Sequence, residues 1–115
     1  NLTSMKVLDF SDTNVSDLSP LKKLSSLEKL AFFDTKVDNL SPLKSLTSLR
    51  YLDFDSTNIS DLSPLKDMIN LETLIMSFTN VSDVAPLAGL PLKYIEADDS
   101  LQQKLREMFP NADIA

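Results

Sequence analysis

The sequence predicts an α/β solenoid. The expected form is a right-handed coil with a parallel β-sheet on its concave face, 3-10 or short helical turns on its convex face, and a capping helix at the C-terminal end. Three observations carry this. Pro20, Pro42, Pro64 and Pro86 recur at a fixed step of 22 residues. The apolar columns Leu8, Leu30, Leu52, Leu74 and Phe10, Phe32, Phe54, Met76 keep the same step, as do Thr13, Thr35, Thr57, Thr79 and Val15, Val37, Ile59, Val81. Within each repeat the apolar spacing changes from two residues to three. Self-similarity at a period of about 20–50 residues marks an array in which each unit buries its apolar stripe against its neighbours.

The repeat from Leu27 to Ser48 shows each element in turn. Leu30 and Phe32 alternate with polar or small residues, the period of a strand with one buried face. Thr35 then points inward, where its hydroxyl can satisfy loop backbone groups. Asp38-Asn39 is a polar turn. Leu40, Leu43 and Leu46 are three apart, which suits a 3-10 or short helical turn. Ser41 is the expected N-cap and Pro42 the first helical residue. A crossover between parallel strands is right-handed, which sets the hand of the coil.

The fifth repeat is one residue shorter. Leu92, Ile95 and Ala97 follow Leu71, Leu74 and Met76 at an offset of 21, and Ser100 takes the threonine column. Ser100 and Gln103 read as a capping box, and Leu101, Leu105, Met108 and Phe109 mark one helical face. Pro110 stops that helix, and Ala112-Asp113-Ile114 reads as a last short strand. Residues 1–115 thus form one domain of about five repeats, with 100–115 as the C-terminal cap. The chain opens at Asn1 rather than Met, which reads as a processed or excised segment. Met5, Leu8 and Phe10 line an uncapped N-terminal edge, which predicts a flanking segment or weak self-association through that edge.

Bulk composition excludes several functions. The chain has 115 residues and a net charge of −6, with a pI of about 4.4. Nucleic acids and anionic membranes select basic surfaces, so neither is the expected partner. Hydrophobic residues make up 43%, yet no apolar run approaches the ~20 residues of a membrane span. There is no cysteine for thiolate chemistry and no histidine for a general base or metal ligand. With one glycine, Gly89, there is no phosphate-cradling loop. No catalytic residue, cofactor or metal site is expected. Asp53-Phe54-Asp55 and Asp98-Asp99 lack the ordered ligand set of a calcium loop and read as surface acids. Their carboxyl groups are expected to stand on an open sheet, where burial raises no pKa. Sequons at Asn1, Asn14, Asn39, Asn58 and Asn80 matter only in a eukaryotic secretory pathway, and the last four sit in connections after strands.

One column alternates in sign: Lys6, Glu28, Arg50, Glu72 and Lys93. Parallel strands lie about 4.8 Å apart, so each residue faces opposite charges and the column favours correct register. Four outward columns line the concave face. They are Val7, Lys29, Tyr51, Thr73, Tyr94; Asp9, Ala31, Asp53, Ile75, Glu96; Ser11, Phe33, Asp55, Ser77, Asp98; and Asp12, Asp34, Ser56, Phe78, Asp99. Eight acids fall here, with Lys29 the one base. Among them stand Phe33, Tyr51, Ile75, Phe78 and Tyr94, a pattern of interface anchors within a field that steers a basic protein partner. The candidate partner-binding set is therefore Phe33, Tyr51, Phe78, Tyr94, Ile75, Asp9, Asp34, Asp53, Asp55, Glu96 and Asp98. Lys22, Lys23, Lys44 and Lys66 on the opposite side read as solubilising charge.

The segments Thr13-Asn14-Val15-Ser16-Asp17-Leu18-Ser19-Pro20-Leu21 and Thr57-Asn58-Ile59-Ser60-Asp61-Leu62-Ser63-Pro64-Leu65 resemble internalin-type leucine-rich repeats. The resemblance covers residues 2–99, with Thr where the family commonly places Asn. It implies a leucine-rich-repeat solenoid without enzymatic activity that recognises protein through its concave face, with Phe33, Tyr51, Phe78 and Tyr94 as anchors. It also implies a bacterial secreted or cell-surface setting. The same repeat resembles intracellular leucine-rich repeats that regulate phosphatases, so a cytoplasmic scaffold is the alternative. Carbohydrate binding through Tyr51 and Tyr94 is a further one.

Overall fold

The computed structural model describes residues 4–115. The sequon at Asn1 and the boundary at Leu2 lie outside the described residues. Among the described residues six short strands form one parallel sheet in sequence order: β1 (Val7–Asp9), β2 (Lys29–Ala31), β3 (Tyr51–Asp53), β4 (Thr73–Ile75), β5 (Tyr94–Glu96) and β6 (Asp113–Ile114). Among the described residues, four complete 3-10 turns, Ser19–Leu21, Ser41–Leu43, Ser63–Leu65 and Ala85–Leu87, stack on the other side. One helix, α1 (Asp99–Met108), closes the C-terminal end. The solenoid is open and measures 41 × 26 × 19 Å. Among the described residues no helix is long and apolar enough to cross a membrane.

Repeat spacing becomes register directly. Leu8, Leu30, Leu52, Leu74 and Ile95 sit side by side across five strands. The four from Leu30 onward are fully buried, while Leu8 is only partly covered at the edge. Phe10, Phe32 and Phe54 stack along the axis, with ring centroids 5.7 and 6.1 Å apart and near-parallel planes. Offset stacking at this separation adds to the area the rings bury.

The threonine column does what its position predicts. Each hydroxyl donates to the carbonyl three residues back, at 2.7 Å for Thr13 and Thr57 and 2.9 Å for Thr35 and Thr79. The sign-alternating column forms ion pairs Lys6–Glu28 (3.1 Å), Arg50–Glu72 (3.4 Å) and Lys93–Glu72 (3.8 Å). Among the described residues, Glu28 and Arg50 are joined by the backbone, Arg50 N–H donating to the Glu28 carbonyl at 2.8 Å, and not by an ion pair.

Two expected caps are corrected. Ser41 is the first residue of its turn rather than the N-cap, which is Leu40, and Pro42 is the second residue. The Ser41 N–H is held instead by Asn39 Oδ1 at 2.9 Å. Asp17, Asp61 and Asp83 do the same for Ser19, Ser63 and Ala85, each at 2.9 Å. An Asx side chain two residues back satisfies the first orphan donor, so the serine need not. At the C-terminal end α1 starts at Asp99 with Asp98 at its N-cap, so Ser100 and Gln103 form no capping box. Ser100 accordingly lies within the helix instead of holding the threonine position. Leu101, Leu105 and Phe109 bury the helical face as read, and β6 pairs with β5 through Tyr94–Asp113 and Ile95–Ile114.

Candidate functional site

The outward face is built by the same ladder. Around the inward central residue of each of the first five strands (Leu8, Leu30, Leu52, Leu74, Ile95), the flanking residues project outward. Register aligns Val7, Lys29, Tyr51, Thr73 and Tyr94 in one row and Asp9, Ala31, Asp53, Ile75 and Glu96 in the next. In the first row the Lys29 ammonium lies over the Tyr51 ring, 4.7 Å from its centroid. Farther along, the Tyr94 hydroxyl donates to Glu96 Oε1.

Just beyond the strands the backbone turns through a left-handed residue in each of the first four repeats: Asp12, Asp34, Ser56 and Phe78, with φ between 52° and 59°. Asp, and to a lesser degree Ser, is a turn residue that accommodates this conformation; an aromatic there is an outlier. The first three turns donate their N–H to the next repeat's carbonyl: Asp12 to Phe33, Asp34 to Asp55 and Ser56 to Ser77, at 2.9 to 3.0 Å. At Phe78 a carboxylate takes over. Its N–H donates to Asp98 Oδ1 at 2.8 Å, and the Thr79 N–H lies 3.4 Å from Asp98 Oδ2. This commitment explains why Asp98 caps α1 without a side-chain bond to it. Phe78 is left 75% exposed.

Asp53 overturns the expectation of an open, fully hydrated carboxylate. It retains 7% exposure, set between Ala31 and Ile75. Its Oδ1 accepts the Asp55 N–H at 3.2 Å. Burial first, and then the neighbouring Asp55 carboxyl, push its pKa up to about 7. Glu96 adds repulsion from β5. Burial likewise raises Tyr51, which also feels Asp53, Glu96, Asp55 and Asp9. Exposed acids behave differently. The Ser11 N–H holds Asp9 below the usual carboxylate range, whereas hydrogen bonding with Asp34 raises Asp12.

The candidate residues therefore separate into groups. Tyr51, Asp53, Asp55 and Glu96 share one electrostatic neighbourhood at the middle of the face. Ile75 borders Asp53 in register. Asp9 and Asp34 are exposed toward the N-terminal repeats, and Phe33 is half-buried, its N–H donating to Ser11 Oγ at 3.0 Å. Phe78, Glu96 and Asp98 line a cleft of about 420 Å³ at the C-terminal end, with Asp99 and Gln102 of α1. Among the described residues, no group of three or more histidine, cysteine or acidic side chains is arranged to hold a metal ion. The left-handed column and the burial of Asp53 were missed by sequence reasoning. The Asp/Asp/Ser sequence of the fourth column was a usable signal for the first, while the second depends on neighbours in adjacent repeats.

A family model described as leucine-rich repeats in two copies matches residues 3–45, 25–67 and 47–89. No curated protein matches the chain. Among solved structures, internalin C2 of Listeria monocytogenes is 30% identical with a TM-score of 0.76, covering 84% of this chain and 53% of that one. A second Listeria monocytogenes internalin, InlF, is 26% identical with a TM-score of 0.85, covering 98% of this chain and 34% of that one. A leucine-rich-repeat protein of Leptospira interrogans shares the fold at 18% identity, with a TM-score of 0.84 over 99% of this chain and 32% of that one. The chain thus spans between about a third and a half of the length of these proteins.

Proposed function

The chain belongs to the leucine-rich-repeat family, with internalin-like 22-residue repeats, and from that premise we propose that it is a non-enzymatic domain that binds a protein partner through the outward sheet face. Phe78 carries the reading. An aromatic at a left-handed backbone position costs about 1–3 kcal/mol. Leaving it 75% exposed forgoes its burial as well. Neither cost improves the free fold, and the second is recovered when the ring enters a partner. Tyr51, Ile75, Tyr94 and Phe33 extend the apolar contact, and Asp9, Asp34, Asp55, Glu96 and Asp98 surround it with negative charge. Such a face anchors through aromatics and selects through charge, which favours a basic partner.

The internalin neighbours support a bacterial secreted or surface setting. Fractionation of source cells with an antibody against this domain tests that part. The binding site is tested by affinity capture with the parent domain and with the triple variant Phe33→Ser, Tyr51→Ser, Phe78→Ser, both checked for native circular dichroism. A protein captured by the parent and lost by the variant is the expected result. Equal capture by both refutes the site.

A further inference from the structure

Resting on that reading, we propose that Asp98 is the positioning residue for the Phe78 anchor: its carboxylate holds the turn so that the ring meets the partner protein in one fixed orientation. Left-handed turns follow β1, β2, β3 and β4, and the first three are held alike. Each donates its N–H to a backbone carbonyl of the next repeat, that of Phe33, Asp55 or Ser77. The fourth has a side chain in that place. The Phe78 N–H donates to Asp98 Oδ1 at 2.8 Å, and the Thr79 N–H to Oδ2 at 3.4 Å. One carboxylate thus grips both N–H groups that flank the Phe78 Cα. Hydrogen bonds to an ionised acceptor are stronger than those to a carbonyl.

The clamp is itself anchored. The Ala97 N–H donates to the Ala115 carbonyl at 3.0 Å, and the Ala97 carbonyl accepts Gln102 Nε2 at 3.0 Å. The Asp98 carbonyl accepts the Leu101 N–H at 2.9 Å. β6 and α1 thereby fix the backbone on both sides of the carboxylate. An aspartate at an N-cap ordinarily bonds to the first N–H groups of its own helix. Asp98 makes no such bond. Its carboxylate is spent instead on the one turn whose left-handed residue is aromatic and 75% exposed. A ring held still before binding loses less freedom on association than a mobile one, so the clamp raises affinity without touching the partner.

Asp98→Ala tests the clamp, with chymotrypsin as the probe. Its apolar slot accepts an exposed aromatic ring, and cleavage tracks how often the backbone opens. Cutting after Phe78 should be about tenfold faster in the variant, with cutting after Tyr51 and Tyr94 unchanged. With Phe78 intact, the variant should also hold the protein captured by the parent domain about tenfold more weakly. Asp98→Asn keeps Oδ1 as an acceptor and should lie between the two in both readouts; it is the test should the first variant fold poorly. Unchanged cutting after Phe78, faster cutting at every site alike, or faster cutting with undiminished capture would overturn the proposal. If Phe78→Ser loses the captured protein while Asp98→Ala keeps it, the anchor stands and the clamp alone is rejected. If Phe78→Ser keeps it as well, the binding reading fails with the clamp.

Discussion

Replacing Asp53 by Asn should stabilise the chain above neutral pH and leave it unchanged below about pH 4. The folded-state pKa of Asp53 lies at about 7, above its ordinary value of 3.8. A carboxyl group with a raised folded pKa favours the fold below its unfolded pKa and loses that contribution as pH rises through the folded one. The window therefore runs from about pH 4 to pH 7. At 1.36 kcal/mol per pKa unit, the full difference is about 4 kcal/mol. The carboxyl group belongs to an outward row that water can reach, and screening reduces this to about 1–2 kcal/mol. Asn keeps the shape and can still accept the Asp55 N–H, but it carries no charge to desolvate. Urea melts by circular dichroism at pH 5 and pH 8 read the effect. Asp53→Asn should gain about 1–2 kcal/mol at pH 8 and about two fifths of that at pH 5, which lies inside the window. A loss of stability at pH 8, or the same gain at both pH values, would refute the reasoning.

Thr57→Val removes the hydroxyl that donates to the Phe54 carbonyl at 2.7 Å, in a buried site. It should cost about 1–3 kcal/mol in the same melts, and an unchanged midpoint would contradict the role assigned to the column. Phe78→Asn places a residue suited to positive φ at that turn and should raise stability by about 1 kcal/mol while weakening partner capture. Destabilisation would show that the ring supports the fold. Glu72→Lys converts two ion pairs into two repulsions, at exposed positions, for a loss of about 1–2 kcal/mol that shrinks in 1 M salt. A salt-independent loss points to packing instead. The β1 edge carries Val7 at 61% exposure with Met5, Leu8 and Phe10 only partly buried. Light scattering over a concentration series of this 115-residue chain should detect weak self-association that Val7→Lys reduces, and strictly monomeric behaviour rejects it.

Strand register, the alignment of the phenylalanine column, the threonine bonds and three ion pairs were legible because each is a property of one column repeated at a constant step. A residue at i meets the residue one repeat on, so the sequence already aligns its neighbours. Reading failed where a side chain's task depended on a different partner. Ser41 looked like a cap, but Asn39, two residues earlier, reaches its N–H first. Ser100 and Gln103 looked like a capping box, but Asp98 ends the ladder of turns at Phe78 and shifts the helix start. Asp53 looked like one more surface acid. Its burial comes from Ala31 and Ile75 in adjacent repeats, and that burial, with smaller contributions from Asp55 and Glu96, raises its pKa. The composition of the face was visible in the columns, but its division into a central charged group and a C-terminal aromatic turn required coordinates.

Hydrogen exchange on the domain, free and bound to a captured partner, tests the central claim most directly. The account predicts slowed exchange across Tyr51–Asp55, Thr73–Phe78 and Tyr94–Asp98, with the 3-10 turns at Ser19–Leu21, Ser41–Leu43 and Ser63–Leu65 unchanged. Protection confined to those turns, with the outward sheet face exchanging as in the free chain, would contradict it.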